Sequence, residues 1–431
     1  MYKISSCFLL CVFFQALSFS QAIEDSPFLQ LLKKKKIDIV FIEPIKPRNH
    51  FKEAFKIKIK QQLDHENPAT GTFDQLIYVK HFDVKAPTVI VTEGYSAADR
   101  NYEISKILKA NQIEVEYRFN GESRPDPIPW EFLTNAQGAD DLHSVRKMFG
   151  KIYRKKWVST GVSKGGSTTL IYKSEYPRDV KVAIPYVAPL ATAQEDPRAD
   201  RYLETIGDEK CRTKIAAFQR IVLKRRKSII SYIDKLAEKD QLSFSIGTDD
   251  VLEYAVLEYP FSFWQYGNDC NVIPDNNASN QQLFEHLEKI VGMSFYSDAT
   301  YERFLPSFYQ FLTELGYYGY RHDHLEELLV SEKEPTNLTF GPKDVDLTYR
   351  GEYVQNVLKW LDRKGKRILY IYGSLDPWTA TGVVPNPKTS SLRFVDPDGD
   401  HTTRIKDLST QQKEEIYTAL RKWLKLPIYK L

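Results

Sequence analysis

The stretch Trp157-Val-Ser-Thr-Gly161-Val-Ser163-Lys-Gly165-Gly166 decides how this chain is read. Its opening residues are strand-like, and helix-like sequence starts near Gly166, so the Gly-x-Ser-x-Gly core sits on a sharp strand-to-helix turn. A serine there stands at the end of a buried strand and at the N-terminus of a helix. Backbone N–H groups then face any negative charge that develops on a reacting oxygen. Neighbouring backbones crowd such a turn, which is why small residues flank the serine. The five-residue pattern is weak by itself, because glycine-rich turns containing serine are common. Its strand-turn-helix context gives it meaning and makes Ser163 the candidate nucleophile of an α/β-hydrolase fold.

The sequence on either side fits that fold. Short β-branched or apolar runs occur at Thr88 to Thr92, Ile113 to Tyr117, Val182 to Val187, Arg367 to Tyr372 and Leu392 to Val395, as expected for strands buried on both faces of a mostly parallel sheet. Helical patterns separate several of them, including Ala136 to Phe149 and a C-terminal helix that opens on the capping-box pair Ser409 and Gln412. Alternation at Phe55, Ile57 and Ile59 and again from Leu76 to Val79 predicts two antiparallel strands joined by the turn-rich Asn67 to Thr72. Between Pro189 and about Arg350 the strand signal stops. Helical, aromatic-rich sequence replaces it at Ile215 to Leu236, Gln281 to Met293 and Tyr301 to Leu315. The expected organisation is a signal peptide at 1–22, the first part of the α/β domain at 23–190, an inserted, mainly helical cap at 191–350 and the rest of the α/β domain at 351–431.

The signal peptide is read from Lys3, the apolar run Cys7 to Leu17 and the small residues Ser18, Ser20 and Ala22. Export to the periplasm or the medium follows. A lipid anchor is disfavoured, since Leu10 fits poorly before Cys11 and Cys7 precedes the apolar run. Residues Ile23 to about His50, with the basic run Lys33 to Lys36, read as a leader ahead of the core. Removing the signal peptide leaves Cys211 and Cys270, a natural disulfide in an oxidising compartment, with two buried free thiols as the alternative.

A serine hydroxyl needs a histidine to take its proton and a carboxylate to orient that histidine, and in this fold the chain order is serine, acid, histidine. His286, His322, His324 and His401 follow Ser163. The first three fall in the expected cap, which leaves His401, in the loop after Leu392 to Val395, as the base. The acid should end the preceding strand, and Asp376 does so after Arg367 to Tyr372. Asp396, Asp398 and Asp400 read better as turn residues, and Asp362 lies on a helix before the strand. The backbone N–H of Lys164 and that of Tyr95, in the loop after Thr88 to Thr92, are the expected oxyanion donors.

Gly161 to Gly166, the turn Asp376-Pro-Trp-Thr-Ala-Thr-Gly382 and Glu116-Tyr-Arg-Phe119 together resemble the secreted Streptomyces-type tripeptidyl aminopeptidase family. More remotely, the chain is similar to prolylcarboxypeptidases and dipeptidyl-peptidase relatives. Gln61-Gln-Leu-Asp-His65 looks like that superfamily's opening motif, and Thr313-Glu-Leu-Gly-Tyr317 resembles its cap segment. The resemblance implies the same triad, Ser163, Asp376 and His401. It also implies an exopeptidase that releases short N-terminal peptides, often with proline near the cut. A free amino terminus calls for a carboxylate, and Glu93 leads the candidates, followed by Glu116 and Glu314; for each, a structural pairing with an arginine such as Arg118 is the competing reading.

Composition narrows the rest. The 431 residues carry 60 basic and 57 acidic side chains for a net charge of +3, which gives no field suited to nucleic acid or an anionic membrane. No later run approaches the ~20 apolar residues of a membrane span. The expected partners are peptides with a free amino terminus, with neither nucleic acid nor a membrane span involved. Histidine and cysteine spacings give no zinc pattern, so no metal or other cofactor is expected. Two rival readings share the motif: a secreted esterase or lipase with the same triad, and a non-catalytic binding protein of the same fold.

Overall fold

The computed structural model describes residues 26–331 and 333–430. The expected signal peptide, Cys7 and Cys11 included, lies outside these residues. The chain enters on helix α1 (Pro27–Lys34), capped by the Ser26 hydroxyl, which accepts from the Leu29 N–H at 3.1 Å. Phe28 on this helix is fully buried and stacks on Phe55 and Tyr153. Strand β1 (Phe41–Ile45) follows and pairs antiparallel with β2 (Glu53–Gln62). The segment expected to be a leader is therefore part of the sheet and its core. An eight-residue helix and a five-residue, half-exposed edge strand are too short for their patterns to mark this segment as core.

β2 and β3 (Thr72–His81) form the expected antiparallel pair. The fully buried β4 (Thr88–Thr92) leads through α2 (Glu103–Leu108) to β5 (Asn111–Val115), which lies between β3 and β4. Helix α3 (Asn135–Gly150) precedes β6 (Trp157–Val162), and α4 (Lys164–Glu175) precedes β7 (Val182–Tyr186). With β8 (Leu369–Gly373) and β9 (Leu392–Asp396) the sheet is nine-stranded, in the order β1-β2-β3-β5-β4-β6-β7-β8-β9. Pairing is antiparallel from β1 to β5 and parallel from β5 to β9. This is the mostly parallel α/β-hydrolase sheet expected from the sequence. The strand order reverses at β4, whose neighbours β5 and β6 run off to opposite sides, so a crevice opens where the carboxyl ends of β4 and β6 part.

Between β7 and β8 the chain leaves the sheet for an insertion of helices α5 (Pro197–Leu203), α6 (Glu209–Lys224), α7 (Arg226–Asp240), α8 (Thr248–Gln265), α9 (Asn280–Ile290) and α10 (Asp298–Gln310). The last continues into a π-helical turn, Phe311–Leu315. The helical run Ile215 to Leu236 is broken at Arg225 (φ −101°, ψ 20°), whose guanidinium reaches the carbonyls of Asn276 and Ala278. Helix α8 had no sequence signature. Almost every residue from Val251 to Trp264 is buried, so it lacks the polar face that reveals an amphipathic helix. Cys211 on α6 and Cys270 are joined by a disulfide, with Cα atoms 5.4 Å apart. Helices α11 (Glu352–Lys364) and α12 (Thr410–Leu424) complete the fold, and α12 begins with the reciprocal Ser409–Gln412 capping box.

Candidate active site

Ser163 links β6 to α4 with φ 57° and ψ −127°, a left-handed conformation that side-chain-bearing residues rarely adopt. Its amide donates to the Tyr186 carbonyl on β7 at 2.9 Å. The surrounding glycines are required by close approach. A Cβ on Gly161 would lie 2.1 Å from the Gly165 oxygen, one on Gly165 would lie 2.5 Å from the Thr92 oxygen, and one on Gly166 would lie 2.7 Å from the Ala188 Cβ. The tight turn leaves Ser163 partly exposed while Lys164 and all that follows to Lys173 are buried.

Asp376 and His401 are contributed by the loops after β8 and β9. The His401 Nδ1 lies 2.8 Å from Asp376 Oδ2, and the carboxylate is fully buried. The other oxygen, Oδ1, accepts the Trp378 N–H at 3.1 Å, which fixes the carboxylate plane. The two loops are stitched together, Ser374 N–H to the Asp396 carbonyl and Leu375 N–H to the Gly399 carbonyl, and a Cβ on Gly373 would lie 2.4 Å from Gly399. From above, the His401 N–H donates to the carbonyl of Gln265 at the end of α8. The rival aspartates do turn work: Asp400 accepts from the Thr402 N–H at 2.7 Å, and Asp396 accepts from the Asp398 N–H at 3.3 Å. Asp362 accepts from the Asn386 side chain on the surface. His286 is bonded to the Tyr259 hydroxyl, and burial lowers it to about 4. His322 and His324 are bonded to the Tyr320 carbonyl and the Gln219 side chain, within the helical insertion.

A pocket over Ser163 is walled by Tyr95, Lys164, Pro189, Phe311, Leu315 and Trp378. Trp378, in the turn that carries Asp376, lines this pocket together with Ser163. Tyr95 and Lys164 lie side by side across Gly94, where an added Cβ would come within 2.6 Å of the Lys164 Cβ and Cγ. Among the described residues the Tyr95 and Lys164 amides make no hydrogen bond to a protein acceptor, as donors waiting for a ligand oxygen would. No group of three or more histidine, cysteine, aspartate or glutamate side chains there is placed to hold a metal ion.

The three carboxylates expected near an amino terminus have different surroundings. Glu116 is buried with both oxygens engaged, one by the Ala97 N–H and the other by the Ser123 N–H and hydroxyl. Glu93 accepts from the Tyr102 hydroxyl and lies against Glu114, whose oxygens take the N–H groups of Ala98 and Arg100. Burial raises the affinity of both for a proton, and repulsion from Glu93 adds to it at Glu114. Arg118 pairs with none of the three. It forks onto Asp141 at 2.8 Å, where His65 also bonds, so the motifs at Gln61 to His65 and Glu116 to Phe119 brace β2 against α3. Glu314 is different. It lies in the π-turn between the pocket residues Phe311 and Leu315, is half-buried, accepts the Asn135 N–H at 2.7 Å, and is raised by burial.

Residues 33–429 match the PS-10 peptidase S37 family. The chain is 32% identical over 374 residues to the prolyl tri/tetrapeptidyl aminopeptidase of Streptomyces mobaraensis, an alignment covering 84% of this chain and 78% of that protein. The chain belongs to the PS-10 peptidase S37 family and is a serine peptidase. Solved structures similar to it include the proline iminopeptidase of Mycobacterium smegmatis (13% identity, 84% of this chain and 96% of that one, TM-score 0.39). Another is an alpha/beta fold family hydrolase of Bacillus anthracis (13% identity, 86% and 99%, TM-score 0.36).

Proposed function

We propose that this member of the family is an exported aminopeptidase that removes short peptides from a free amino terminus, with Ser163, His401 and Asp376 as its triad. The single observation that carries the triad is the His401–Asp376 bond between the loops that follow β8 and β9, strands that run parallel to β6 with its terminal Ser163 turn. His401 takes the Ser163 proton at Nε2 as the serine oxygen adds to the peptide carbonyl. The Tyr95 and Lys164 amides receive the oxyanion, and the imidazolium then protonates the leaving amine. Water, activated by the same histidine, releases the peptide from the serine ester. Asp376, fully buried and fixed by Trp378, holds the imidazole in one tautomer throughout.

Glu314 is our choice for the amino-terminal ammonium, because it shares a turn with residues walling the Ser163 pocket while Glu116 is committed to its own loop. The aromatic and proline lining suits a compact ring, in keeping with the prolyl specificity in the Streptomyces relative's name. The Cys211–Cys270 disulfide supports life in an oxidising compartment, secreted or periplasmic. No helix among the described residues is long and apolar enough to cross a membrane.

Fluorophosphonate labelling that disappears in Ser163→Ala is the expected result for the nucleophile. Mass spectrometry of products from free and N-acetylated peptides tests the rest. Equal cleavage of both would remove the amino-terminus reading, and hydrolysis of esters alone would remove the peptidase chemistry. In Glu314→Gln, a rise in KM of roughly tenfold or more for free peptides is expected from loss of a charge-assisted contact.

A further inference from the structure

Lys164 follows the nucleophile, and its side chain has no part in the mechanism above. It is 2% exposed. The Nζ donates to the Gly94 carbonyl at 2.8 Å and to Gln310 Oε1 at 2.7 Å, and it sits 3.7 Å from the centre of the Tyr117 ring. Gln310 is held in turn by donating through Nε2 to the Tyr117 hydroxyl at 2.8 Å. Burial pushes this nitrogen well below the usual lysine range, and the opposing pull of Glu314, the one charge acting on it, does not make up the difference. Burying a lysine whose hydrogen bonds go to a carbonyl and an amide instead of a carboxylate is costly, and a methionine or leucine would fill the same space at less expense. Packing alone therefore does not account for it.

The acceptor explains the cost. The Gly94 carbonyl belongs to the peptide unit whose N–H is that of Tyr95, the expected second oxyanion donor. A trans peptide is planar with its C=O and N–H antiparallel, so fixing the oxygen fixes the direction of the N–H. The N–H then points away from Nζ, and Tyr95 and Ser163 line the same pocket. A hydrogen bond to the carbonyl also polarises the amide and makes its N–H a better donor. We propose that Lys164 is a positioning residue for the oxyanion hole: its main chain supplies one donor, and its side chain aims the other by holding the Gly94–Tyr95 peptide. Gln310, the last residue of α10, holds the Nζ, so this side chain ties the helical insertion to the oxyanion loop by hydrogen bonds, beside the edge-on contact of Tyr95 with Phe304. The proposal rests on Ser163 being the nucleophile and does not depend on the peptide released.

The test uses the full-length exported enzyme, with thermal unfolding as the check on folding. It measures kcat and KM on a peptidyl p-nitroanilide with a free amino end, the rate of labelling by a fluorophosphonate, and inhibition by a tripeptide aldehyde, whose adduct places its oxygen in the hole. Lys164→Met is expected to lower kcat about 10- to 100-fold with KM within about twofold, because one donor is misaimed while both remain. The labelling rate and the aldehyde affinity should fall in parallel. Gln310→Leu should give the same pattern about three- to tenfold, and it carries the test if Lys164→Met does not fold. Folded Lys164→Met or Gln310→Leu with unchanged kcat and unchanged labelling overturns the proposal while leaving the serine reading intact. Turnover persisting in Ser163→Ala overturns both.

Discussion

Asp376 and His401 stand 25 residues apart in the chain, at the ends of adjacent parallel strands, and meet through a 2.8 Å hydrogen bond from Nδ1 to Oδ2. Asp376 is fully buried, and the amide of Trp378 takes its second oxygen, so the carboxylate can turn in neither direction. Asp376→Asn keeps the shape but offers an amide that can present its N–H to Nδ1. The imidazole would then be held in the wrong tautomer. We expect kcat to drop by roughly 10³ to 10⁴ with folding retained, read by steady-state kinetics beside a melting curve. A loss below tenfold would remove Asp376 from the triad.

The turn that delivers Ser163 has no room for a single methyl group. In Gly161→Ala the new Cβ meets two backbone oxygens, those of Gly165 at 2.1 Å and Thr92 at 2.5 Å, and neither can rotate aside as a side chain would. Overpacking of this kind costs about 1–3 kcal/mol, and relief requires shifting the serine itself. Gly161→Ala should therefore lower the denaturation midpoint and abolish fluorophosphonate labelling together. Unaltered stability with full labelling would show that the turn is looser than described.

Glu93 and Glu114 make stability depend on pH. Burial, with repulsion from Glu93, raises Glu114 from its ordinary value of 4.5 to about 8. Between those values the folded protein holds a proton that the unfolded chain has released. Stability is thus highest below about pH 4.5 as far as this pair is concerned, and falls as pH rises through the window up to about 8. In Glu93→Gln the amide oxygen still accepts from Tyr102, and its N–H donates to an ionised Glu114. Melting temperatures measured from pH 5 to 8 should flatten relative to the parent chain. An unchanged slope would mean that the pair does not share a proton.

The disulfide between Cys211 and Cys270 closes a loop of 59 residues that contains α7 and α8. In the chain-entropy description a loop of that length is worth about 4 kcal/mol, with native strain and residual unfolded structure reducing the figure. Replacing both cysteines by serine should destabilise the helical insertion by up to that amount. The midpoint of chemical denaturation checks it, and an unchanged midpoint under oxidising conditions would refute it.

How much of this could be read beforehand differs from residue to residue. Ser163 was legible because a strand, a glycine-bounded turn and a helix leave a local signature. Asp376 and His401 were legible because chain order in a parallel sheet restricts which loops reach the same edge. Glu116 gave no local sign of its commitment, since its donors at Ala97 and Ser123 come from two different loops. The side-chain role of Lys164 was equally hidden. Its acceptors lie 70 and 146 residues away, and only folding brings Gly94 and Gln310 to the same nitrogen.

Local patterning by itself determined the alternation of buried strands and helices, the turn that exposes Ser163 and the capping box that opens α12. Those features depend on side-chain spacing and backbone preference within a few residues, which a sequence records directly. The tertiary structure decided that residues before His50 join the sheet, that α8 exists, and which backbone donors occupy Glu116 and Glu314. Each of these rests on desolvation and hydrogen bonds between distant segments. Their energies depend on what a residue is buried against, and nothing in its immediate neighbours along the chain specifies that.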